Sequence, residues 1–343
     1  MSYQIGLDTI NLKPSPRLGH AEYCSNNALI KKVTGENAHW ITPKFCDAWE
    51  IDFNWSVNDG PVPWGKRGRV TDMGHADFLE GGIDRRQPAN CPFTDPEEVL
   101  AFDAVKEYGL PDFAELVEYY EQAYQDGQKA YPQTVVTGGY YKTIISGAIE
   151  SFGWDMLLLG AAELDRFENV LDSFYRLTLH HMKAWAATSA PVIIQHDDFV
   201  WSEGPFINPE FYRRVIIPRY KELWKPLHAA GKRVLFCSDA NWSCFVDDIA
   251  NAGADGFIFE PMMALDPVVK NYGKTKCIIG SKVDTRTLTF GTKDQIRAEI
   301  DATLKLAFDC PGFMFAVGNH IPSNVPVENA EFYFEYLKAN RKR

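Results

Sequence analysis

Between residues 191 and 320 the chain repeats one pattern five times: a short apolar run, a polar cluster, then a longer segment whose apolar positions recur with helical spacing. The runs are 191–199 (PVIIQHDDF), 234–236 (VLF) before Cys237-Ser238-Asp239, 257–259 (FIF) before Glu260-Pro261, 276–284 (KCIIGSKVD), and 312–318 (GFMFAVG) before Asn319-His320. Short runs with little polar alternation predict strands covered on both faces. Connections long enough to hold a helix return the chain in the same direction, so the sheet is expected to be parallel. The helices carry their own punctuation. Asn208-Pro209-Glu210 opens one that is expected to kink at Pro218 and stop at Gly231, Thr292-Lys293-Asp294-Gln295 is a capping box, and 326–342 forms the closing helix.

The first half is less regular. A short helix is expected over 26–33, stopped by Gly35, and a helix start at Thr94-Asp95-Pro96-Glu97. A longer amphipathic helix follows over 112–130, a strand over 133–140 and a long helical stretch over 154–188, bent near Glu163. Residues 1–25 read as irregular. Residues 40–93 are rich in Trp, Asp and Gly, with a hairpin expected at Asp59-Gly60 and a turn at Gly81-Gly82. The expectation is an α/β fold, a (β/α)8 TIM barrel forming a single domain over 1–343. Residues 1–93 would be an irregular N-terminal elaboration whose aromatic side chains form part of the pocket. Neither GxGxxG after a strand nor GxxxxGK[ST] is present, so a phosphate loop is not expected.

Composition narrows the function classes. A formal charge of -11 without a basic cluster speaks against nucleic acid as a partner. No apolar stretch has the length of a membrane span, and the N-terminus does not read as a signal peptide, so a cytoplasmic protein without membrane contact is expected. Seven scattered cysteines then read as reduced thiols.

The chemistry is expected where barrels gather it, at the carboxyl ends of the strands. Those ends carry His196-Asp197-Asp198, Cys237 with Asp239, Glu260 and His320, which are residue types that bind zinc. Cys237 and Asp239 stand two apart and face one side of an extended strand end. Cys237, Asp239, Glu260 and His320 are therefore the candidate metal ligands. His196, Asp197 and Asp198 are the candidate catalytic group, with His20, Tyr140 and Asn319 as candidate substrate contacts. Each has a plainer alternative: Cys237 as a buried thiol, Asp239 as a helix cap, Glu260 as the partner of Lys282, His320 as a loop residue.

The segment HDDF followed by SEGPFINPEFYRRVIIPRYKEL resembles the uroporphyrinogen decarboxylase superfamily, as do AAGKRVLFCSDAN, ANAGADGF and GNHIPSNVPVENAEFY in their order and spacing. The resemblance covers roughly the last 150 residues. One branch of that superfamily decarboxylates a tetrapyrrole without metal, using arginines near the N-terminus. Here Arg17 is the only basic residue at a comparable place. The other branch comprises corrinoid-dependent methyltransferases, in which thiol-methylating members hold zinc through His-x-Cys and a distant Cys. In this chain Cys237 stands at the His position, Asp239 at the first Cys, and Asn319 or His320 at the second. A harder ligand set suits an oxygen substrate. The resemblance thus implies methyl transfer from an aryl methyl ether to the cobalt(I) of a cobalamin or other corrinoid carried by a partner protein, with zinc as Lewis acid. Transfer from a methylcorrinoid to a thiol or pterin, and metal-free decarboxylation, stay open as alternatives. Family members are often homodimers.

Overall fold

A computed structural model describes residues 2–61, 91–318 and 320–343, together with the backbone of two short strands, Phe78–Leu79 and Ile83–Asp84. Trp64, the Gly81-Gly82 turn and Asn319 lie outside the described residues.

The strands of the ring are β1 (Gly19–His20) and β2 (Phe53–Asn54), then, after the antiparallel pair β3 (Phe78–Leu79) and β4 (Ile83–Asp84), β5 (Val135–Val136), β6 (Gly138–Tyr140), β7 (Val192–His196), β8 (Arg233–Cys237), β9 (Gly256–Ile258), β10 (Cys277–Gly280) and β11 (Phe313–Phe315). Seven of them form one parallel sheet in the order β1-β11-β10-β9-β8-β7-β6, while β2 and β5 pair separately in parallel. The gap between the two sheets is closed at both sides. Ala21 bridges Phe53 and the Asp52 N–H donates to His20 O (2.8 Å), joining β1 to β2. Thr137 alone separates β5 from β6. Counted around the ring, β5 and β6 are one interrupted strand, and the result is an eight-stranded parallel barrel, as the alternation of runs and helices predicts.

Strand parity sorts the side chains. Val192, Ile194, Leu235, Cys237, Ile279 and Met314 fill the lumen with Phe53 and Val135. A much larger apolar cluster lies between the ring and its helices. The amino end of the lumen is plugged by the helix Ser2–Ile10, whose Ile10 joins that inner cluster with Tyr3 and Leu7 against it. Residues 1–25 are therefore not irregular throughout. Gly6 in that helix lies so close to β2 that a Cβ would sit 2.4 Å from Asp52 O.

Helix punctuation holds at most places. Asn26 caps Asn27–Thr34 and Gly35 ends it with φ +77°, Asp112 caps Phe113–Ala130, and the Thr292–Gln295 capping box opens Lys293–Ala307. The long helical stretch divides at Ala162-Glu163 as expected, but it starts at Ile144 rather than Trp154 because the run continues across a break at Gly153 (φ +72°). Pro218 acts upstream of its own position: the backbone widens to a π-turn over Tyr212–Ile216 before the helix Ile217–Ala229. A proline offers no N–H to the preceding turn and its ring crowds that turn's carbonyl, which the wider turn relieves. At Asp59-Gly60 the described residues form a turn with Gly60 at φ +71°, and the Asn58 N–H donates to Gly139 O of β6 (2.9 Å); the second arm of the expected hairpin lies outside the described residues. Among the described residues one helix, Ile144–Ala161, is long and apolar enough to cross a membrane by length and composition, and 61% of it is buried inside the protein.

Candidate metal centre at the carboxyl ends of β7 and β8

Register builds the site. His196 of β7 lies directly opposite Cys237 of β8 in the parallel ladder, and the Asp197 N–H donates to Cys237 O (2.9 Å). Each strand ends there, and the two residues that follow carry Asp198 past His196 and Asp239 past Cys237, at the carboxyl mouth of the barrel. The Asp239 N–H ties the extensions together by donating to Asp198 Oδ1 (2.8 Å). A nitrogen of His196 and a carboxylate oxygen each from Asp198 and Asp239 lie within 4.8 Å of one another.

The hydrogen bonding of this cluster is uneven. Asp198 Oδ1 stands 3.0 Å from His196 Nε2, and Oδ2 accepts from the Tyr141 hydroxyl (2.8 Å). Tyr141 also stacks on the His196 ring, with centroids 4.1 Å apart, while Trp55 packs against that ring at 5.4 Å. An ionised carboxylate only accepts, so Nε2 carries the proton of its bond to Asp198, which leaves Nδ1 as the other ring nitrogen. That Nδ1 is buried and has no hydrogen-bond partner. Burial pulls the Asp198 carboxyl up, but the facing His196 charge and bond, with the Asp239 N–H and Tyr141, hold it below its ordinary value. Burial, and then the charges of Asp198 and Asp239, push the Tyr141 phenol well above its ordinary range, so it donates its proton rather than losing it. Burial and the charges of Asp239, Asp198 and Glu260 do the same to the Cys237 thiol.

A cavity of about 510 Å³, counting its open mouth, adjoins the cluster. Cys237, Asp239 and Glu260 line it on one side, Tyr23, Trp55 and Phe259 on others. The Tyr23 ring is packed by Trp55 at 4.9 Å and by the exposed Trp40 at 4.9 Å. Gly318, at the end of β11, is required where β9 ends: a Cβ there would lie 1.8 Å from Pro261 Cδ. Residues 148–339, more than half of the chain, match the uroporphyrinogen decarboxylase (URO-D) family. The chain belongs to that family.

This family member is 26% identical over 173 residues to a uroporphyrinogen decarboxylase of Carboxydothermus hydrogenoformans, an alignment covering 50% of this chain and 47% of the relative. The match thus spans about half the length of that curated relative. A methyltransferase from Methanosarcina mazei has the same fold, with a TM-score of 0.65 over 98% of both chains at 16% identity.

The expected site residues fall into two groups. His196, Asp198 and Asp239 come together. Cys237 and Glu260 line the adjoining cavity, where Glu260 Oε2 accepts from the Ala240 N–H (2.7 Å), and Ala240 has φ +70°. Lys282 pairs with Asp266 (2.6 Å). His320 is buried with its ring centroid 5.9 Å from that of Tyr23 and stands outside the three-residue cluster. Three others face the helices. Asp197 caps Ile144–Ala161, accepting from the Ser146 N–H (2.6 Å), the Ile145 N–H (3.3 Å) and the Tyr220 hydroxyl (2.7 Å). Tyr140 is buried in the outer layer with its ring stacked on His181 at 4.5 Å. His20 packs on Phe334 and Tyr333 with Nε2 3.2 Å from Glu22 Oε1. Asn319 is not described. Tyr141, Tyr23 and Trp55 were not singled out from sequence. For Tyr141 the signal is strand parity, which turns Tyr140 outward and its neighbour toward the mouth.

Proposed function

We propose that the chain is a corrinoid-dependent methyltransferase that takes the methyl group of a methoxylated phenol and delivers it to the cobalt(I) of a corrinoid held by a separate protein. The observation that carries this reading is the cluster of His196, Asp198 and Asp239 beside an aromatic-walled cavity. An imidazole and two carboxylates whose ligand atoms lie within 4.8 Å of one another make a donor set that fits a divalent cation, and catalytic zinc takes three protein ligands. Cys237 and Glu260 flank the same point, and His320 lies further round the mouth. Zinc held there would supply Lewis-acid polarisation of an ether oxygen.

The chain's own residues do the rest. Tyr23, Trp55 and Phe259 offer flat apolar walls to an aryl ring. The O–CH3 bond breaks with its electron pair left on the phenol oxygen, and cobalt(I) supplies the pair for the new bond to carbon. Decarboxylation of a polycarboxylate ring is the second reading, favoured by the name of the curated relative. Against it, the described residues lining the cavity include Asp239 and Glu260 and no lysine or arginine, which opposes a polyanion.

The test is a panel of methoxylated phenols incubated with the protein and a cobalt(I) corrinoid, with the cobalt spectrum followed with and without chelator. Methylcobalt formation that chelator abolishes is expected. Absence of any spectral change, together with CO2 release from a carboxylated ring, would replace this reading by the second.

A further inference from the structure

The three clustered ligands come from two strands, and a third strand holds them in place. Tyr141 follows β6 directly. Its hydroxyl donates to Asp198 Oδ2 (2.8 Å) and its ring lies on His196 at 4.1 Å with 29° between the planes. It is thus hydrogen-bonded to one member of the cluster and stacked on another. Its own backbone is pinned: the Tyr141 N–H donates to Asp59 Oδ1 (2.9 Å), the Lys142 N–H donates to the same oxygen (3.2 Å), and Thr143 Oγ1 donates to His196 O (2.8 Å).

We infer that Tyr141 is the positioning residue of the metal centre: it fixes the rotation of the Asp198 carboxylate and the plane of the His196 ring, so that both ligands stand ready before the cation arrives. The inference rests on the metal reading above. Asp198 has two oxygens, and with Oδ2 committed to the phenol only Oδ1 is turned toward His196 and Asp239. Without that bond the contacts of Oδ1 with the Asp239 N–H (2.8 Å) and His196 (3.0 Å) alone hold the carboxylate, and Oδ2 is free to swing out of the geometry that converges with the other ligands. Without the stack the imidazole loses the surface that sets its tilt. Outer partners of this kind typically change metal affinity by about 10–100-fold.

The test uses Zn2+ and Co2+ alone on the full chain. Dissociation constants are measured by competition with a chromophoric chelator for the wild type, Tyr141→Phe, Tyr141→Leu and Asp239→Asn. Visible spectra of the Co2+ forms and melting curves of the metal-free proteins accompany them. Tyr141→Phe keeps the stack and loses the hydroxyl, so Zn2+ affinity is expected to fall about 10-fold or more with a changed Co2+ spectrum. Tyr141→Leu loses both contacts and should fall further. A purely structural tyrosine would lower the melting temperature of the metal-free protein and leave the affinity and Co2+ spectrum of the folded protein unchanged. Equal Zn2+ affinity and identical Co2+ spectra for wild type and Tyr141→Phe overturn the role of Tyr141 while the metal centre stands. A wild type without stoichiometric binding, or an Asp239→Asn variant that binds as tightly, overturns the metal centre and this role together.

Discussion

The two ends of the barrel both bury charge, and they treat it differently. At the amino end Asp52 is fully buried and receives both terminal nitrogens of Arg17 (2.5 and 2.7 Å), the buried Arg341 (3.2 Å) and the His20 N–H (2.9 Å). Arg341 also donates to the carbonyls of Leu18, Trp49 and Glu50. Two cations and the carboxylates of Asp52 and Glu50 nearly balance. At the carboxyl end Asp198 and Asp239 stand beside one imidazole, Glu260 lines the adjoining cavity, and the ring's Nδ1 is buried without a hydrogen-bond partner. Charge paired within the chain holds a structure together, whereas an imidazole grouped with two carboxylates is a donor set that a cation can use.

The comparison can be broken from either side. The largest effect is expected at the amino end. Asp52→Ala leaves two guanidiniums facing each other in a buried site, and Arg341→Ala strands a buried carboxylate. Each should cost about 3–5 kcal/mol in denaturant unfolding, and metal binding by the folded fraction should be unchanged. The opposite result is expected at the carboxyl end. Asp239→Asn should weaken Zn2+ binding by at least about 100-fold, about 2.7 kcal/mol, while the denaturation midpoint of the metal-free protein stays level or rises, since a like charge has been removed. A fall in that midpoint to match the amino-end variants would erase the distinction between the two ends.

A subtler effect sits between them. Burial raises the Glu22 carboxyl from 4.5 to about 8, against the pull of its bonds from the Tyr333 hydroxyl and the Val317 N–H. The folded protein therefore holds a proton there that the unfolded chain releases between these values. Stability from this group is complete below about pH 4.5 and declines as pH rises toward 8, by at most about 1.4 kcal/mol per unit. Glu22→Gln should flatten that part of the stability–pH curve. An unchanged slope would show that other groups set it.

The sequence made the second half of the barrel legible because strands β7 to β11 are each an apolar run followed by a polar stop. The first half hid its strands. Gly19–His20 and Phe53–Asn54 are two residues long and carry no run of their own, so only their neighbours in the ring define them. The same limit applied at the site. The expected metal set was read one strand end at a time, as Cys237, Asp239, Glu260 and His320, with His196, Asp197 and Asp198 as the catalytic group. The ladder register, with His196 opposite Cys237, brings His196 and Asp198 beside Asp239, and no pattern within a single strand reports register. Alternation along the HDDF segment does carry one usable signal: positions 196 and 198 share a face and 197 takes the other. Tyr141 escaped because its importance lies in contacts to two strands that are distant from it in sequence.

Closure of the ring joins segments made at very different times. Glu22 meets Val317 across 295 residues. At about 5–20 residues per second of synthesis, the first strand and its plug helix wait roughly 15–60 s for the strand that completes them. During that wait Tyr3, Leu7 and Ile10 have no lumen to fill, and the nearby charges of Arg17 and Asp52 help keep the nascent segment hydrated. The buried clasp at the amino end shares this constraint: Asp52 cannot meet Arg341, 289 positions further along, until the chain between them has been made.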